Sequence, residues 1–231
     1  IDEMAVLNLD THRAFEFALK NRNQKTLGSQ AATGRGISPS YADVIFRFPV
    51  RMRDLLSEDW RNILSEHYNL YKELIKGLGM DCSLIQVKRF NSEDVALGSK
   101  RKFLNNLEKT REELKGYVFP MYEYIRKEWK ADTPFIFEKA QAIGLDSRWG
   151  VYPDVTASNC CLDGITYSTE GVIDANDISA RFGVIKSTYT SSVGKRKIPT
   201  FVEEKYAQQL RDDAHEYGTS TGRPRDIAYL D

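Results

Sequence analysis

Residues 216–231 read EYGTSTGRPRDIAYLD, and this stretch decides the fold class. A charged helix end leads into a loop of glycine, hydroxyl and arginine residues, and the loop leads into the short apolar run IAYL. Gly218 and Gly222 permit positive φ, so consecutive amides can converge on one anion, while Arg223 and Arg225 add planar, bidentate donors. The pattern predicts an α/β protein with a loop that holds a carboxylate or a phosphate.

Two more apolar runs, at 134–138 and 182–185, are short, continuous and bounded by polar residues. With 227–230 they show the pattern of strands covered on both faces, which is typical of a parallel sheet. In open α/β sheets, ligands bind beyond the carboxyl ends of the strands. We therefore expect the site among the polar residues that follow these runs, namely 138–141, 186–190 and Asp231.

Helical periodicity is strongest between residues 57 and 130. Ser57 is a candidate N-cap for a helix that ends at Gly77, and apolar stripes predict further helices at 99–115 and 121–130. The predictions are completed by a short helix at 14–21, a polar loop at 22–40, and a helix that begins with a Thr200–Glu203 capping box and ends at Gly218.

Composition excludes several classes of protein. The chain has 231 residues, with 33 Lys plus Arg against 33 Asp plus Glu, so no overall field attracts it to nucleic acid or to a membrane surface. No apolar run is long enough to span a bilayer. The 3 cysteines are an odd number and two are adjacent, which indicates a reducing, cytoplasmic compartment. The chain opens on Ile1 and stops just after an apolar run, so we expect a longer parent protein.

Four further segments have the anion-binding character of the closing loop. They are the TGRG at 33–36 followed by Phe46-Arg47, the FEKAQ at 137–141, the YPDVTASN at 152–159, and the VGKRKIPT at 193–200. In this order and at these separations, with the loop at 216–231, they resemble the adenylosuccinate synthetase family, whose members join aspartate to IMP using GTP. The resemblance runs nearly end to end.

The resemblance implies a fold and its limits. It implies a single α/β domain over 1–231, with a mostly parallel central sheet flanked by helices, the P-loop NTPase-like fold of the family, and a helical insertion around 52–130. The family's N-terminal GTP phosphate loop, its catalytic aspartate and histidine, and its C-terminal guanine-recognition part have no match in this sequence. We interpret His12, His67 and His215 as structural or surface residues.

The resemblance also implies ligands and site residues. Mg²⁺ is expected to enter with GTP, no catalytic or metal-binding residue is expected in this segment, and Arg47 is expected to reach across a homodimer to the partner's IMP. The residues implied to bind IMP are Thr33, Arg47, Gln141, Thr156 and Arg223; those implied to bind aspartate are Thr219, Ser220, Thr221, Gly222 and Arg223; Arg225 is implied to contact GTP.

Two alternatives stay open at this point. Without the family, Arg47 between two phenylalanines is a half-buried arginine stem, and isolated threonines are turn residues. Within the family pattern, Lys139, Ser192, Pro224 and Asp226 depart from the usual residues. The second hypothesis is therefore a non-catalytic or altered-specificity purine-nucleotide-binding relative, which kept the IMP-side loops without the GTP machinery.

Overall fold

The computed structural model describes residues 1–22, 33–88, 94–192, 198–218 and 222–230. The described residues form the helices α1 Asp10–Arg22, α2 Ile37–Phe46, α3 Met52–Leu56, α4 Trp60–Gly77, α5 Lys100–Leu114, α6 Met121–Lys130, α7 Asp163–Ser168 and α8 Glu204–Ala214. Their strands are β1 Gln86–Lys88, β2 Asp94–Ala96, β3 Thr190–Ser191 and β4 Ile227–Ala228. None of the helices in this described part is long and apolar enough to cross a membrane.

Helix α4 is the centre of the larger hydrophobic core. Leu64 and Ile75 on its inner face are fully buried, and α1, α3 and α5 pack around it. Each such side chain stabilises the fold by about 1.5–3 kcal/mol relative to an exposed position. The helices predicted from periodicity are confirmed here, but Ser57 is not the N-cap of α4: its Oγ donates to the carbonyl of Asp54, 2.8 Å away, and ends α3.

The expected mostly parallel sheet is not confirmed. Within the described residues, both ladders are antiparallel, β1 with β2 and β3 with β4. The runs 134–138 and 182–185 lie outside the strands, and Ile136 and Val184 are 98% and 94% exposed. Only 227–230 contributes a strand, β4. Apolar runs become buried strands only when partners flank them, and the described residues supply none to these two runs.

The insertion expected around 52–130 is largely helical. It contains α3 to α6, and the β1–β2 hairpin lies within it. The division of the chain into one domain over 1–231 stays a prediction.

Two local predictions are wrong at their boundaries. The loop predicted over 22–40 contains the start of α2, because the sequence IleSerProSer begins a helix at Ile37. The Thr200–Glu203 capping box does not form, since Thr200 pairs instead with Tyr229 through its hydroxyl and its carbonyl. Helix α8 accordingly begins at Glu204, and it ends before His215, whose φ of 52° closes it ahead of Gly218.

A second, smaller core lies near the end of the chain. Val202, Ala207 of α8 and Ile227 of β4 are buried together, and Tyr189 and Leu210 pack against them. This core supports the segment that bears Arg223 and Arg225.

Candidate functional site

The TGRG segment forms a tight turn at the start of α2. Gly34 and Gly36 have φ of 73° and 75°, and the amide of Gly36 donates to Oε2 of Glu16 on α1 at 2.8 Å. A Cβ on Gly36 would lie 2.7 Å from the backbone nitrogen of Arg13, so the close approach of α1 requires glycine here. Thr33 is exposed ahead of Ile37, the first residue of α2, and its hydroxyl can donate to an anion there.

A buried polar cluster holds α2 against α1 and α4. Both ring nitrogens of His12 on α1 are hydrogen-bonded: its Nε2 lies 2.9 Å from Oδ2 of Asp43, and its Nδ1 accepts the amide of Leu9 at 2.9 Å. Tyr71 of α4 donates to the other oxygen of Asp43 at 2.7 Å. Because Nδ1 of His12 accepts a backbone N–H, its proton lies on Nε2 and is donated to Asp43.

His67 completes this cluster. Its Nε2 lies 2.8 Å from the hydroxyl of Thr11, and its Nδ1 lies 3.9 Å from Oδ2 of Asp43. Burial, followed by the neighbouring His12, lowers the pKa of His67 to about 3, against the opposing effect of Asp43. His67 is therefore neutral at physiological pH.

The same cluster is the one group of buried ligand-type side chains in the described residues, because His12, Asp43 and His67 offer atoms within 4.8 Å of one another. It does not suit Mg²⁺, which takes oxygen ligands. A neutral imidazole that ligates a metal through Nε2 carries its proton on Nδ1, but Nδ1 of His12 already accepts the amide of Leu9. The geometry favours a hydrogen-bonded network that fixes three helices.

Gln141 and Thr156 belong to one polar cluster. Oε1 of Gln141 lies 4.0 Å from Sγ of Cys160, the hydroxyl of Ser158 lies 4.0 Å from the same sulfur, and that hydroxyl lies 3.5 Å from Oγ1 of Thr156. Gln141 has a φ of 63°, so the backbone turns sharply where its amide is presented. An amide beside hydroxyls can donate and accept at a base edge or a phosphate.

Asp146 organises the loop that carries this cluster. Its buried carboxylate accepts the amides of Arg148, Trp149 and Cys160 at 2.8, 3.0 and 2.7 Å. The bonds from Trp149, Cys160 and Arg148 hold its pKa at about 2, so it is ionised at neutral pH. The amide of Thr156 meanwhile donates to the carbonyl of Leu145 at 2.8 Å. These contacts fix the backbone on both sides of Thr156.

Helix α2 reaches the same cluster through Tyr41. Burial raises the pKa of the Tyr41 phenol, while its hydrogen bond with Ser158 opposes that shift. The helix that begins at the TGRG turn therefore contacts the loop of Gln141 and Thr156. The structure therefore brings Gln141 and Thr156 into one cluster and places Tyr41 of α2 next to it.

Arg47 lies at the other end of α2. Its φ of 70° ends the helix, and it lines a cavity of about 420 Å³ together with Arg51 and Arg53. Phe46 and Phe48 flank Arg47 in the sequence, and their rings stack on each other with centroids 5.8 Å apart. Arg47 is exposed and is not the half-buried stem that its neighbours suggest.

Arg223 and Arg225 lie on one arm of a hairpin next to the smaller core. The amide of Gly218 donates to the carbonyl of Arg223 at 2.8 Å, and the amide of Arg225 donates to the carbonyl of Glu216 at 3.0 Å. Arg223 is exposed, and Gly222 has a φ of 63°. The expected aspartate-binding residues Thr219, Ser220 and Thr221 lie outside the described residues, as do 193–197.

Two functional candidates were missed at the sequence level. Asp43 and Glu216 are buried carboxylates whose hydrogen-bond donors, apart from Arg225 for Glu216, lie 25 or more residues away along the chain. Short-range spacing carries no signal for such contacts. A charged residue in an otherwise uncharged helix, as Asp43 is in α2, is the one hint that the sequence offers.

The fold defines a mixed protein of helices and strands. A family profile described as "Adenylosuccinate synthetase" matches residues 1–231, so the chain belongs to the adenylosuccinate synthetase family. An adenylosuccinate synthetase of Thermus thermophilus is 33% identical over 199 residues, which cover 86% of this chain and 44% of the relative. One of Halothermothrix orenii is 31% identical over 232 residues, covering 100% of this chain and 50% of the relative.

A solved structure gives the same answer at the level of the fold. The fully ligated adenylosuccinate synthetase of Plasmodium falciparum superposes with a TM-score of 0.79 and 26% identity, over 99% of this chain and 49% of that chain. The chain thus spans about half the length of the relatives that it matches.

Proposed function

We propose that this chain is part of a GTP-dependent carbon–nitrogen ligase that joins L-aspartate to IMP in purine nucleotide biosynthesis. The observation that carries the proposal is the cluster that joins the segment of Gln141 to the segment of Thr156 through Cys160 and Ser158. Both segments belong to the family's IMP-side motifs, and the chain belongs to that family over its whole length.

The reaction has two steps in this proposal. The γ-phosphoryl group of GTP passes to the 6-oxygen of IMP, which leaves GDP and 6-phosphoryl-IMP. The amine of aspartate then attacks C6, loses a proton and displaces inorganic phosphate to give adenylosuccinate. A Mg²⁺ ion bound with GTP would supply charge neutralisation at the phosphates. Neither the acid–base residues nor the metal ligands are assigned to this chain.

The site residues have complementary roles. The hydroxyls of Thr33 and Thr156 donate to the IMP phosphate, and Gln141 binds the base next to the reacting oxygen. The amides and hydroxyls of 219–222 and the guanidinium of Arg223 bind the aspartate carboxylates, because a planar fork fits a carboxylate in a bidentate manner. Arg223 also lies near IMP, and Arg225 contacts GTP.

The assay that tests the function uses the full-length gene product. We expect adenylosuccinate, GDP and phosphate to form in equal amounts only when IMP, aspartate, GTP and Mg²⁺ are all present, as measured by chromatography after single omissions. Failure to form any product with every purine monophosphate tried, while IMP binding persists in calorimetry, would favour the non-catalytic or altered-specificity relative. The replacement of the family glycine by Lys139 is the feature that points to that alternative.

We also infer a homodimer in which Arg47 is donated to the partner's IMP. An exposed apolar surface supports it, because Ile45 and Phe46 of α2 are 80% and 68% exposed beside Arg47. Apolar surface of this kind marks an interaction site. The free thiols of Cys82, Cys160 and Cys161 support the cytoplasm as the compartment.

The dimer gives a direct prediction. Phe46→Glu places a charge at the apolar contact, where it would be buried without a partner, so the full-length protein should shift from dimer to monomer in light scattering coupled to gel filtration. Phe201→Glu is the matched control, since Phe201 is 72% exposed and lies by the smaller core. A Phe46→Glu protein that keeps the mass of the parent dimer would refute this interface.

A further inference from the structure

Glu216 is a buried carboxylate at the base of the Arg223 hairpin. Its side chain is 5% exposed, and four donors from two separate segments converge on it. Lys186 and Tyr189 donate to Oε1, the latter at 2.6 Å, while Ser191 and Arg225 donate to Oε2 at 3.1 and 3.0 Å. The carboxylate therefore links the segment that follows 182–185 to the hairpin.

The backbone of the hairpin closes at the same point. The amide of Arg225 donates to the carbonyl of Glu216, and Tyr217 forms an antiparallel bridge with Pro224. Glu216 and Arg225 are thus cross-strand neighbours joined by both backbone and side chains. Arg211 of α8 donates to the carbonyl of Arg225 at 2.7 Å, which ties this base to the smaller core.

The charges at the base keep the carboxylate ionised. Burial alone raises the pKa of Glu216, but the hydrogen bonds from Lys186 and Tyr189 outweigh it and bring the pKa to about 2. The same bond raises the pKa of Tyr189 to about 12, so its hydroxyl remains a donor. The carboxylate of Glu216 is accordingly ionised at physiological pH and pairs with both Lys186 and Arg225.

We propose that Glu216 is the positioning residue of the aspartate subsite: it locks the base of the hairpin and so sets the direction in which Arg223, two residues from Arg225, presents its guanidinium. This inference rests on the proposed function for the identity of the ligand. Nη1 of Arg225 is held by Glu216, so a nucleotide contact from Arg225 uses its other nitrogens.

The first test needs no activity. In hydrogen exchange on the full-length protein, Glu216→Gln should accelerate the exchange of the amides of Gly218 and Arg225 by about 10- to 100-fold. The NH₂ group of glutamine would face one of the two cations, donor against donor, so that charge-assisted hydrogen bond would be lost. Amides in the middle of α8 should keep the parent rate. Equal acceleration in α8, or no acceleration in the hairpin, would overturn the inference.

The second test uses the full-length enzyme. Glu216→Gln should raise the KM of aspartate by about tenfold or more with a smaller change in kcat, and Glu216→Asp, which keeps the charge, should show a smaller rise. Asp213→Asn, an exposed substitution on α8, is the control and should match the parent. A loss of kcat with an unchanged KM of aspartate would indicate a merely structural role. If the parent itself has no activity, the proposed function fails and the exchange experiment alone decides the role of Glu216.

Discussion

Replacement of Asp43 by alanine is expected to lower the free energy of unfolding by about 2 to 6 kcal/mol. Asp43 is 2% exposed and accepts hydrogen bonds from Nε2 of His12 and from the hydroxyl of Tyr71. Its removal leaves two buried donors without an acceptor, and each costs about 1 to 3 kcal/mol. Urea unfolding followed by circular dichroism measures the change.

The isosteric variant Asp43→Asn separates this effect from a simple cavity. Its oxygen can still accept from Tyr71, but its NH₂ group then faces the N–H of His12, and His12 cannot move its proton to Nδ1 without losing the amide of Leu9. We therefore expect a loss of about 2 kcal/mol. The control is Glu73→Gln on the exposed side of α4, whose ion pair with Lys76 is open to solvent and contributes little. If Asp43→Ala is as stable as this control, the hydrogen-bond network of Asp43 does not stabilise the fold.

The Asp43 cluster also affects the proposed site. Helix α2 has the TGRG turn at one end and Arg47 at the other, and Asp43 is the side chain that fixes α2 to His12 and Tyr71. The carbonyl of Asp43 additionally accepts the amide of Phe48 at 3.0 Å, just beyond Arg47. One buried residue thus sets the position of two segments that the proposed function assigns to IMP.

The sequence predicted those parts of the structure whose signals are local. Apolar spacing predicted α4, α5 and α6, since each carries its apolar residues on one stripe, which is buried along α4 and only partly covered along α6. Helix α2 was not predicted because it begins in a stretch of glycine, serine and proline, where composition favours a loop. Its position in the fold depends on the hydrogen bond between Asp43 and Tyr71, which are 28 residues apart. Local propensity does not register contacts of that range.

The sheet and the site also differ in how far local sequence signals predict them. The runs 134–138 and 182–185 have the composition of buried strands, but a strand needs partners, and within the described residues these runs have none. At the site, motif spacing selected Gln141 and Thr156, which do lie in one cluster. It could not select Glu216, since the identity of its donors is decided by the fold that brings 186–191 next to 225.

Arg223→Ala in the full-length protein is expected to lower kcat/KM for aspartate by about 100- to 1000-fold. Removing one partner of a charge-assisted pair in a desolvated site costs about 2 to 5 kcal/mol, and each 1.4 kcal/mol is about tenfold. The hairpin holds the carbonyl of this residue through the amide of Gly218, and its side chain is exposed. Steady-state kinetics at saturating IMP and GTP give the measurement.

Arg223→Lys distinguishes recognition from simple charge attraction. Lysine keeps the charge but lacks the planar fork that binds a carboxylate through two parallel bonds, so its kcat/KM should fall between the parent and the alanine variant. Arg126→Ala, an exposed arginine on α6, controls for the loss of a surface cation and should match the parent. Parent-like aspartate kinetics in Arg223→Ala would remove the hairpin from the substrate site, because no carboxylate held by that guanidinium could be released without a change in KM or kcat.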